Sequence, residues 1–337
     1  MTTYKGINGF AVQSVASDPS PSDEGQVWYN NASYAFKLAA VTTAGTFASG
    51  GALNTARGFI GGFGTQTAAL AFGGSSPYVA ATEKYDGTSW TTSGNLGTTR
   101  APYGKGGFGT QTAAIAVGGY PSSPPNTNST ESFNGTSWTS STNYPVSYLG
   151  IGGAGTQTTG LTFGGAIGAP YPGQTTSNKF DGTTWTSTGA LGTGRSQLGG
   201  VGTQTAALAF GGFPDGPASA TTSVENFNGT SWTSGTAMPT AIGGMGGFGT
   251  QTSAVSAGGS TPGFFGNPAL STALIYNGTS WTATGSLTTA RGATGGAGAD
   301  SVSGVVFGGR TNTPAYVTTT EEFTGAGAPV TKTITTS

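Results

Sequence analysis

Short apolar segments that end in Gly-Gly recur six times along the chain, separated by polar, turn-rich sequence. One segment, Ala113-Ala114-Ile115-Ala116-Val117, runs directly into Gly118-Gly119. A short apolar run bounded by glycine is typical of a strand. The pattern therefore predicts an all-β chain with one such strand in every repeat. The pairs are Gly73-Gly74, Gly118-Gly119, Gly164-Gly165, Gly211-Gly212, Gly258-Gly259 and Gly308-Gly309.

Two turn phrases mark the repeats. An Asx-Gly pair between two β-like runs favours a hairpin, here expected to be a type I′ turn with positive φ at both central residues. A period in the forties is the length of one four-stranded propeller blade, so each repeat predicts four antiparallel strands. Gly-Thr-Gln-Thr begins, every 45 to 49 residues, at Gly64, Gly109, Gly155, Gly202 and Gly249, and in altered form at Gly298. Asp/Asn-Gly-Thr-Ser/Thr-Trp ends at Trp90, Trp138, Trp185, Trp232 and Trp281.

The sixth repeat lacks its Trp, and the missing strand is expected near the N-terminus. Phe47 precedes Arg57 much as Trp90 precedes Arg100 in the next repeat. We therefore expect a strand at about 41 to 48 to pair with the last repeat and close the ring, which removes a free sheet edge. The predicted organisation is an N-terminal attachment segment at 1 to 40, a six-bladed β-propeller at 41 to 324 and a C-terminal tail at 325 to 337.

Composition limits the chemistry that this chain can perform. Charged residues make up 7% of the 337 residues, and the net charge is −1, against about 25% charged residues in ordinary globular proteins. The sequence has no basic run, so nucleic acid and anionic membranes are not expected as partners. It contains no His and no Cys, which excludes imidazole or thiolate catalysis and metal sites built from these groups. We predict no cofactor, no metal and no enzymatic activity.

The N-terminal sequence has no basic segment followed by an apolar core, so no signal peptide is expected. No apolar run approaches the roughly 20 residues of a membrane span, so membrane insertion is not expected either.

Several recurring side chains have structural interpretations. We expect the Trp series to pack between blades. The Asp or Asn of each hairpin exchanges freely among repeats, which indicates a need for turn geometry rather than for charge. The glutamines Gln66, Gln111, Gln157, Gln204 and Gln251 are expected to satisfy backbone groups of their own turns, with a ring of ligand-binding amides as the alternative. The carboxylates Glu83, Glu131, Glu225 and Glu321 are expected to pair with the recurring Arg or to face solvent.

Strand order predicts two unlike faces. The Gly-Thr-Gln-Thr turns and the Asx-Gly hairpins share one nearly uniform face, which we call the uniform face. The opposite face, here the variable-loop face, carries the loops 75 to 81, 120 to 129, 166 to 177, 213 to 223, 260 to 272 and 310 to 319. Binding residues concentrate on loops held by a rigid scaffold. The aromatic side chains in these loops either form a binding rim or fold back over the blades: Tyr78, Tyr120, Tyr171, Phe213, Phe264, Phe265 and Tyr316.

The repeat resembles the kelch-repeat propellers, the group that includes the central domain of galactose oxidase. The resemblance rests on the repeat-start Arg (Arg57, Arg100, Arg195 and Arg291), the apolar strand with Gly-Gly, the aromatic residue and the later Trp. It implies a six-bladed, all-β propeller. The chain departs from the pattern in having a tighter outer hairpin and in lacking the Arg at Ser147 and near Thr240. The copper chemistry of galactose oxidase is excluded because the chain has no His.

Residues 1 to 40 do not match the repeat, and a hairpin is predicted around Asn30-Asn31. The phrase Gly25-Gln26-Val27-Trp28-Tyr29-Asn30 resembles one found near the start of tail-fibre and other virion proteins of bacteriophages, and the Gly-Thr-Gln-Thr repeat resembles sequences of the same phages. This resemblance implies a protein of the phage particle surface. The segment would attach to other virion proteins or to sister copies in a homo-oligomer. Its candidate anchor residues are Trp28, Tyr29, Tyr34 and Phe36.

The expected function is that of a non-enzymatic tail-fibre or appendage adhesin that presents the variable-loop face to receptors on the host surface, with glycans or a surface protein as ligands. A first alternative is a capsid-decorating protein with a purely structural role. A second is a glycan-active enzyme, which the absence of His and Cys and the scattered carboxylates disfavour.

Overall fold

The computed structural model describes residues 13–17, 27–41, 44–75, 77–123, 125–216, 219–261, 268–313, 315–326 and 329–333. Regular structure in this part of the chain is β-strand throughout, in seven four-stranded sheets and one two-stranded sheet, with no α-helix. The chain forms two compact units. One is Thr46–Thr324, and the other combines Met1–Gly45 with Gly325–Ser337. The fold is therefore all-β, as predicted.

The strands before the first complete blade are β1 (Gln13–Val15), β2 (Val27–Asn30), β3 (Ala35–Val41) and β4 (Thr46–Gly50). The next are β5 (Gly61–Thr65), β6 (Ala68–Phe72), β7 (Thr82–Tyr85), β8 (Trp90–Ser93), β9 (Arg100–Ala101), β10 (Gly107–Gly109), β11 (Ala114–Val117), β12 (Tyr120–Pro121), β13 (Thr130–Phe133), β14 (Trp138–Ser140), β15 (Gly152–Thr156), β16 (Thr159–Phe163), β17 (Ser177–Phe180) and β18 (Trp185–Ser187). The remainder are β19 (Gly199–Gly202), β20 (Ala207–Phe210), β21 (Val224–Phe227), β22 (Trp232–Ser234), β23 (Gly246–Gly249), β24 (Ala254–Ala257), β25 (Ala273–Tyr276), β26 (Trp281–Ala283), β27 (Gly295–Gly298), β28 (Ser303–Phe307), β29 (Thr320–Thr324) and β30 (Pro329–Thr333).

The smaller unit is one mixed sheet of order β1-β2-β3-β30. Strand β1 runs parallel to β2, and β3 is antiparallel to both β2 and β30. The turn between β2 and β3 is held by Asn30, whose Oδ1 accepts hydrogen bonds from the backbone N–H groups of Ala32 and Ser33 at 3.0 and 2.9 Å. The hairpin predicted around Asn30-Asn31 is therefore confirmed. The segment 325 to 337 contributes β30 to the same sheet.

The larger unit is a six-bladed propeller in which each repeat supplies one blade. The first five blades have the orders β5-β6-β7-β8, β10-β11-β13-β14, β15-β16-β17-β18, β19-β20-β21-β22 and β23-β24-β25-β26. All of their strand pairs are antiparallel. The two-stranded sheet of β9 and β12 lies within the second repeat.

The sixth blade has the order β27-β28-β29-β4, so an N-terminal strand supplies its outer edge as predicted. Phe47 pairs with Phe323 in the register in which Trp90 pairs with Tyr85 in the first blade. Phe47 therefore occupies the missing Trp position. The closing strand spans Thr46–Gly50 rather than 41 to 48, because Val41 belongs to β3 and pairs with Pro329.

The five Trp side chains of the propeller pack between neighbouring blades, as predicted. Each indole contacts a Phe of the preceding blade: Trp90 with Phe307, Trp138 with Phe72, Trp185 with Phe108, Trp232 with Phe163 and Trp281 with Phe210, at ring-centroid distances of 4.8, 5.3, 6.0, 4.8 and 5.0 Å. The indole N–H groups of Trp90 and Trp138 also donate across the blade boundary, to Thr320 Oγ1 and Thr82 Oγ1 at 2.9 Å. A Trp–Phe contact thus joins neighbouring blades at five of the six boundaries.

A closed ring of backbone hydrogen bonds joins all six blades near the propeller axis. Each blade contributes one residue with positive φ just before its innermost strand: Phe59, Tyr103, Gly150, Gln197, Gly244 and Ala293. Every one of these residues donates its N–H to a carbonyl of the preceding blade. The bonds are Phe59 to Ala293, Tyr103 to Phe59, Gly150 to Pro102, Gln197 to Gly150, Gly244 to Gln197 and Ala293 to Gly244, at 2.8, 3.4, 2.9, 2.8, 2.9 and 2.7 Å.

Glycine at the innermost strands lets six strands meet around this axis. A Cβ at Gly61 would lie 2.2 Å from the ring of Phe72, and one at Gly153 would lie 1.9 Å from the carbonyl oxygen of Gly107 in the neighbouring blade. Any larger side chain at these two positions would therefore push the strands apart. The recurrent Gly-Gly-X-Gly of these strands is a packing requirement.

Four blades contain a buried ion pair between the repeat-start Arg and the predicted Glu. The pairs are Arg57–Glu83 at 2.6 Å, Arg100–Glu131, Arg195–Glu225 at 3.1 Å and Arg291–Glu321 at 3.1 Å. The carboxylates therefore pair with Arg, which settles one of the two alternatives. Burial lowers the pKa of Arg195 to about 10, and the nearby charge of Glu225 opposes this shift.

The two blades without Arg have lost both partners. The carbonyls of Tyr148 and Ile242 accept the Gly119 and Gly212 N–H bonds that Arg carbonyls accept elsewhere, so these residues occupy the Arg position. They do so in place of Ser147 and Thr240, which the sequence had suggested. Asn178 and Leu274 stand at the Glu position in these blades. Because loss of one partner alone would leave a buried charge, the pair is replaced as a unit.

We predict that Arg195→Ile lowers the free energy of unfolding by about 3–5 kcal/mol, because it leaves the Glu225 carboxylate buried without its cation. The double variant Arg195→Ile with Glu225→Leu reproduces the Ile and Leu of the fifth blade and should recover most of this loss. Urea denaturation of the three proteins provides the measurement. A double variant as unstable as the single one would contradict the prediction.

The ring closure can be tested at Phe47, which is half-buried, contacts Phe323 and packs against the buried cluster that contains Phe248. Phe47→Ala should lower the free energy of unfolding by about 2 kcal/mol, less than the ~3–5 kcal/mol of a fully buried Phe. Thr46→Ala, at an exposed position of the same strand, is the control and should change it by less than about 0.5 kcal/mol. Equal thermal stability of both variants would contradict the proposed role of this strand.

Candidate functional site

Strand order places the tight turns of every blade on one face. In the first blade, the turn between β5 and β6 and the connection between β7 and β8 lie at the same end of the strands. The longer connection between β6 and β7 and the link to the next blade lie at the other end. The candidate loops therefore share the variable-loop face.

Four of the seven candidate loop aromatics converge on this face. Tyr78, Tyr120, Tyr171 and Tyr316 come from the first, second, third and sixth blades. All four are half-buried and pack against one buried cluster that contains Phe59, Tyr103, Leu149 and Ala293. Phe59, Tyr103 and Ala293 also belong to the axial ring of hydrogen bonds, so the tyrosines surround the variable-loop end of the axis. We call these four residues the tyrosine cluster.

Local backbone contacts hold the members of the tyrosine cluster in place. Tyr120 lies on β12, which pairs with Ala101 of β9. The backbone of Tyr316 bridges to Arg310 at the start of the same loop. Tyr171 has a φ of 67° and donates its N–H to the Gly168 carbonyl at 3.1 Å. Three of the four tyrosines are therefore fixed by backbone bridges or turns.

Two rings of the tyrosine cluster, Tyr78 and Tyr120, are in contact with each other and with the buried rings beneath them. Phe59 stacks on Tyr103 with ring centroids 4.1 Å apart, and Tyr120 lies 5.9 Å from Tyr78 and 6.2 Å from Tyr103. The hydroxyls of Tyr78 and Tyr103 are hydrogen-bonded at 3.2 Å. Such spacings are those of attractive aromatic pairs. The cluster presents ring surface and hydroxyl groups side by side.

Burial shifts the pKa of two tyrosines at this end of the axis. Burial raises the pKa of Tyr103 well above its usual range, and its hydrogen bond to Tyr78 raises it further. Burial also raises the pKa of Tyr171, with a smaller effect from Tyr120 and Tyr78. A guanidinium lies at the edge of the cluster, with Arg310 Cζ 5.9 Å from the ring centre of Tyr316. Neutral phenols with one flanking cation are suited to hydrogen bonding and stacking.

Phe213 is not part of this surface, and that candidate is wrong. Its side chain is fully buried, and its ring covers Gly243 of the next blade, where a Cβ would lie 2.3 Å from Phe213 Cε2. A Phe that follows Gly-Gly directly can pack on the neighbouring blade as easily as it can face solvent, so the sequence could not separate the two. Phe264 and Phe265 lie outside the described residues.

Sequence reasoning overlooked three residues near the axis. Phe59 and Tyr103 stand at equivalent repeat positions, and their recurrence as aromatics was the available signal. Lys105 is the third. Nine positions separate Arg100 from Gly109, where seven separate Arg57 from Gly64. This two-residue excess brings Lys105 to the axis, where it lines two cavities of about 90 and 10 Å³.

The recurring Gln side chains on the uniform face do not bind their own turns, so that expectation is wrong. Each Nε2 donates to two backbone carbonyls of the preceding blade. Gln204, for example, bonds Gly160 and Phe180 at 2.9 and 2.8 Å, and Gln251 bonds Ala207 and Phe227 at 3.0 and 2.7 Å. With their amide N–H groups committed to these carbonyls, the glutamines act as links between blades.

The Asx-Gly hairpins are closed by side chains rather than by a type I′ turn. In the hairpin of the first blade, Gly87 has positive φ and Asp86 does not, and Asp86 Oδ1 accepts hydrogen bonds from the N–H groups of Thr88 and Ser89, both at 2.8 Å. The pKa of Asp86 lies well below its usual range, and the hydrogen bond from the Ser89 backbone N–H contributes most to this lowering. Asn134 accepts the same two bonds in the second blade. An oxygen acceptor is all that the turn needs, which explains the exchange of Asp and Asn.

The candidate anchor residues differ in exposure. Trp28 is buried, so its indole is not a contact surface of the folded chain, contrary to expectation. Tyr29 is half-buried, and its ring lies 5.1 Å from that of Phe36. Tyr34 and Phe36 are 82% and 47% exposed. Burial alternates along β2, which turns Trp28 away from solvent.

Within the described part of the chain, no three His, Cys, Asp or Glu residues are grouped as a metal site would require. The same residues include no helix long and apolar enough to cross a membrane.

Comparison with known proteins identifies the fold. No protein-family model matches the sequence, and no curated protein matches it. Among solved structures 214 chains match. One, described as the structure of YjhT, has a TM-score of 0.65 and 15% sequence identity, over 80% of this chain and 95% of that one. At this identity the likeness establishes the fold alone, and it agrees with the six four-stranded blades of the larger unit in showing a β-propeller.

Proposed function

We propose that this chain is a non-enzymatic surface protein of a bacteriophage particle, a tail fibre or similar appendage, whose variable-loop face binds carbohydrate on the host surface. The observation that carries the binding role is the convergence of four loop tyrosines, from four blades, around one end of the propeller axis. Positions that repeat in every blade serve packing. The tyrosine cluster lies where the repeats differ.

The chemistry of the tyrosine cluster favours carbohydrate. Tyr combines a flat apolar ring with a polar hydroxyl and loses little conformational entropy when it is immobilised. Its rings can cover the C–H faces of a sugar while protonated hydroxyls bond the sugar hydroxyls. A phenol is uncharged at neutral pH, so no charge has to be desolvated on binding.

Support for a virion protein comes from the smaller unit. Its sequence contains the phrase at 25 to 30 that resembles phage tail-fibre sequences. Its sheet exposes Val27, Tyr34 and Phe36, three apolar side chains suited to a protein contact. The low net charge of the chain does not oppose association with other virion proteins or with further copies.

The binding role is tested with full-length protein on immobilised polysaccharides of candidate host bacteria. We predict that Tyr120→Ala with Tyr171→Ala weakens binding at least about tenfold, equivalent to ~1.4 kcal/mol. Tyr34→Ala is the matched control, because it removes an exposed Tyr from the other unit, and it should bind like the wild type. Thermal unfolding should confirm that both variants are folded.

A second measurement tests whether the smaller unit attaches the protein to the phage particle. Tyr34→Ala with Phe36→Ala should reduce incorporation into phage particles and leave polysaccharide binding unchanged. If the variant with both loop tyrosines replaced adsorbs normally, the adhesin proposal is wrong, and retained particle incorporation would then favour a capsid-decorating role. Cleavage of the polysaccharide by the wild type would overturn the proposal in favour of a glycan-active enzyme.

A further inference from the structure

Lys105 lies within the propeller axis rather than on the surface. It lies just before β10, in the segment of the second repeat that is two residues longer than its equivalent in the first repeat. Its Nζ donates to the carbonyl of Gly247, at 3.3 Å, on the innermost strand of the fifth blade. The second and fifth blades lie on opposite sides of a six-bladed ring. The lysine side chain therefore crosses the axis.

The ammonium group has no acidic partner there. Among the described residues that line the three axial cavities, none is Asp or Glu. The four buried Arg side chains differ from Lys105 in this respect, because each of them contacts a Glu. Burial lowers the pKa of Lys105 to about 8, with no acidic group to raise it again. A lysine with this pKa is still mostly protonated at neutral pH.

A cavity of suitable size adjoins the Lys105 side chain. It measures about 90 Å³ and is lined by Lys105, by Phe63, Phe108 and Val201, and by the glycines that begin the Gly-Thr-Gln-Thr turns. A single water needs only ~10–15 Å³, and benzene occupies a cavity of ~150 Å³, so this space suits a small solute. Those glycines are only half-buried, so the cavity opens on the uniform face.

Two smaller cavities, each of about 10 Å³, continue along the axis. Thr294 lines both, and Gln197 lines the one towards the variable-loop face. Thr294 Oγ1 and Gln197 Nε2 are buried and make no hydrogen bond within the described residues. A space of this volume holds one water. Water here would satisfy both groups and leave the larger cavity as the place for a solute next to Lys105.

We propose that the larger axial cavity is a binding site for a small monovalent anion, held by the Lys105 ammonium and entered from the uniform face. A single cation without an acidic neighbour matches one negative charge, which disfavours dianions. Glycine backbone forms much of the lining beside the Phe, Val and Ala side chains, and the volume admits acetate and formate as well as chloride. The site lies at the opposite end of the axis from the tyrosine cluster and does not depend on the proposed carbohydrate binding.

Titration of the full-length protein with sodium acetate, sodium chloride and sodium phosphate, followed by calorimetry at constant ionic strength, tests the site. We expect saturable binding of one acetate or chloride per chain, in competition with each other, and at least tenfold weaker binding of phosphate. Lys105→Met should weaken monovalent anion binding at least tenfold. Lys84→Met is the matched control, because Lys84 also donates to a glycine carbonyl, that of Gly135 at 3.2 Å, and its loss should leave binding unchanged.

Three outcomes would overturn the site: no saturable binding, equal binding by wild type and Lys105→Met, or equal loss in Lys84→Met. If Lys105→Met does not fold, the wild type still decides the matter by nuclear magnetic resonance. Acetate or chloride must then shift the backbone amides of Phe108 and Gly249, which line the cavity, and leave those of Gly87 and Gly182 in the outer hairpins unmoved. The absence of these shifts would show that the cavity holds water alone.

Discussion

The closed ring of six backbone hydrogen bonds at the axis is the constraint on which the propeller depends. Each bond fixes where one innermost strand begins, and therefore where its blade begins. Four of the six donors are Phe59, Tyr103, Gln197 and Ala293, which adopt a backbone conformation that side chains normally avoid. Such a conformation persists only where its surroundings determine it. Here the neighbouring blade on each side does so, and the last bond returns to the first blade.

The remaining interactions differ in kind with their distance from the axis. Near the axis, glycine allows the innermost strands to contact one another. On the next strand of four blades, a Phe ring fills the space above these glycines. In the first five blades, a Trp side chain and a Gln amide then bind the blade to the preceding one. Ion pairs serve within a blade and are exchangeable, as Tyr148 with Asn178 and Ile242 with Leu274 demonstrate. A chain with few charges can be stable because packing and backbone bonding do most of this work.

The sequence was informative wherever one repeat could be compared with the next. Period, strand order, the packing of the Trp series and the substitution of Phe47 for Trp all followed from such comparison. It failed for the Gln series and for Phe213, whose contacts in another blade leave no mark on the repeat pattern. Nothing within a single repeat indicates that Gln204 reaches carbonyls of the preceding blade, or that Phe213 covers Gly243. The second repeat is visibly two residues longer than the first between its Arg and its Gly-Thr-Gln-Thr turn. The sequence alone does not show that this extra length places Lys105 on the propeller axis.

Pairing of β30 with β3 gives the order of synthesis a structural consequence. The chain leaves the smaller sheet after β3, builds the entire propeller and returns to the same sheet some 290 residues later, as the register of Val41 with Pro329 shows. Contacts between such distant segments form late, because the long loop between them must close first. On the ribosome, β3 has no partner on one side until residue 333 has been made. A prematurely terminated product therefore carries an incomplete sheet in the smaller unit.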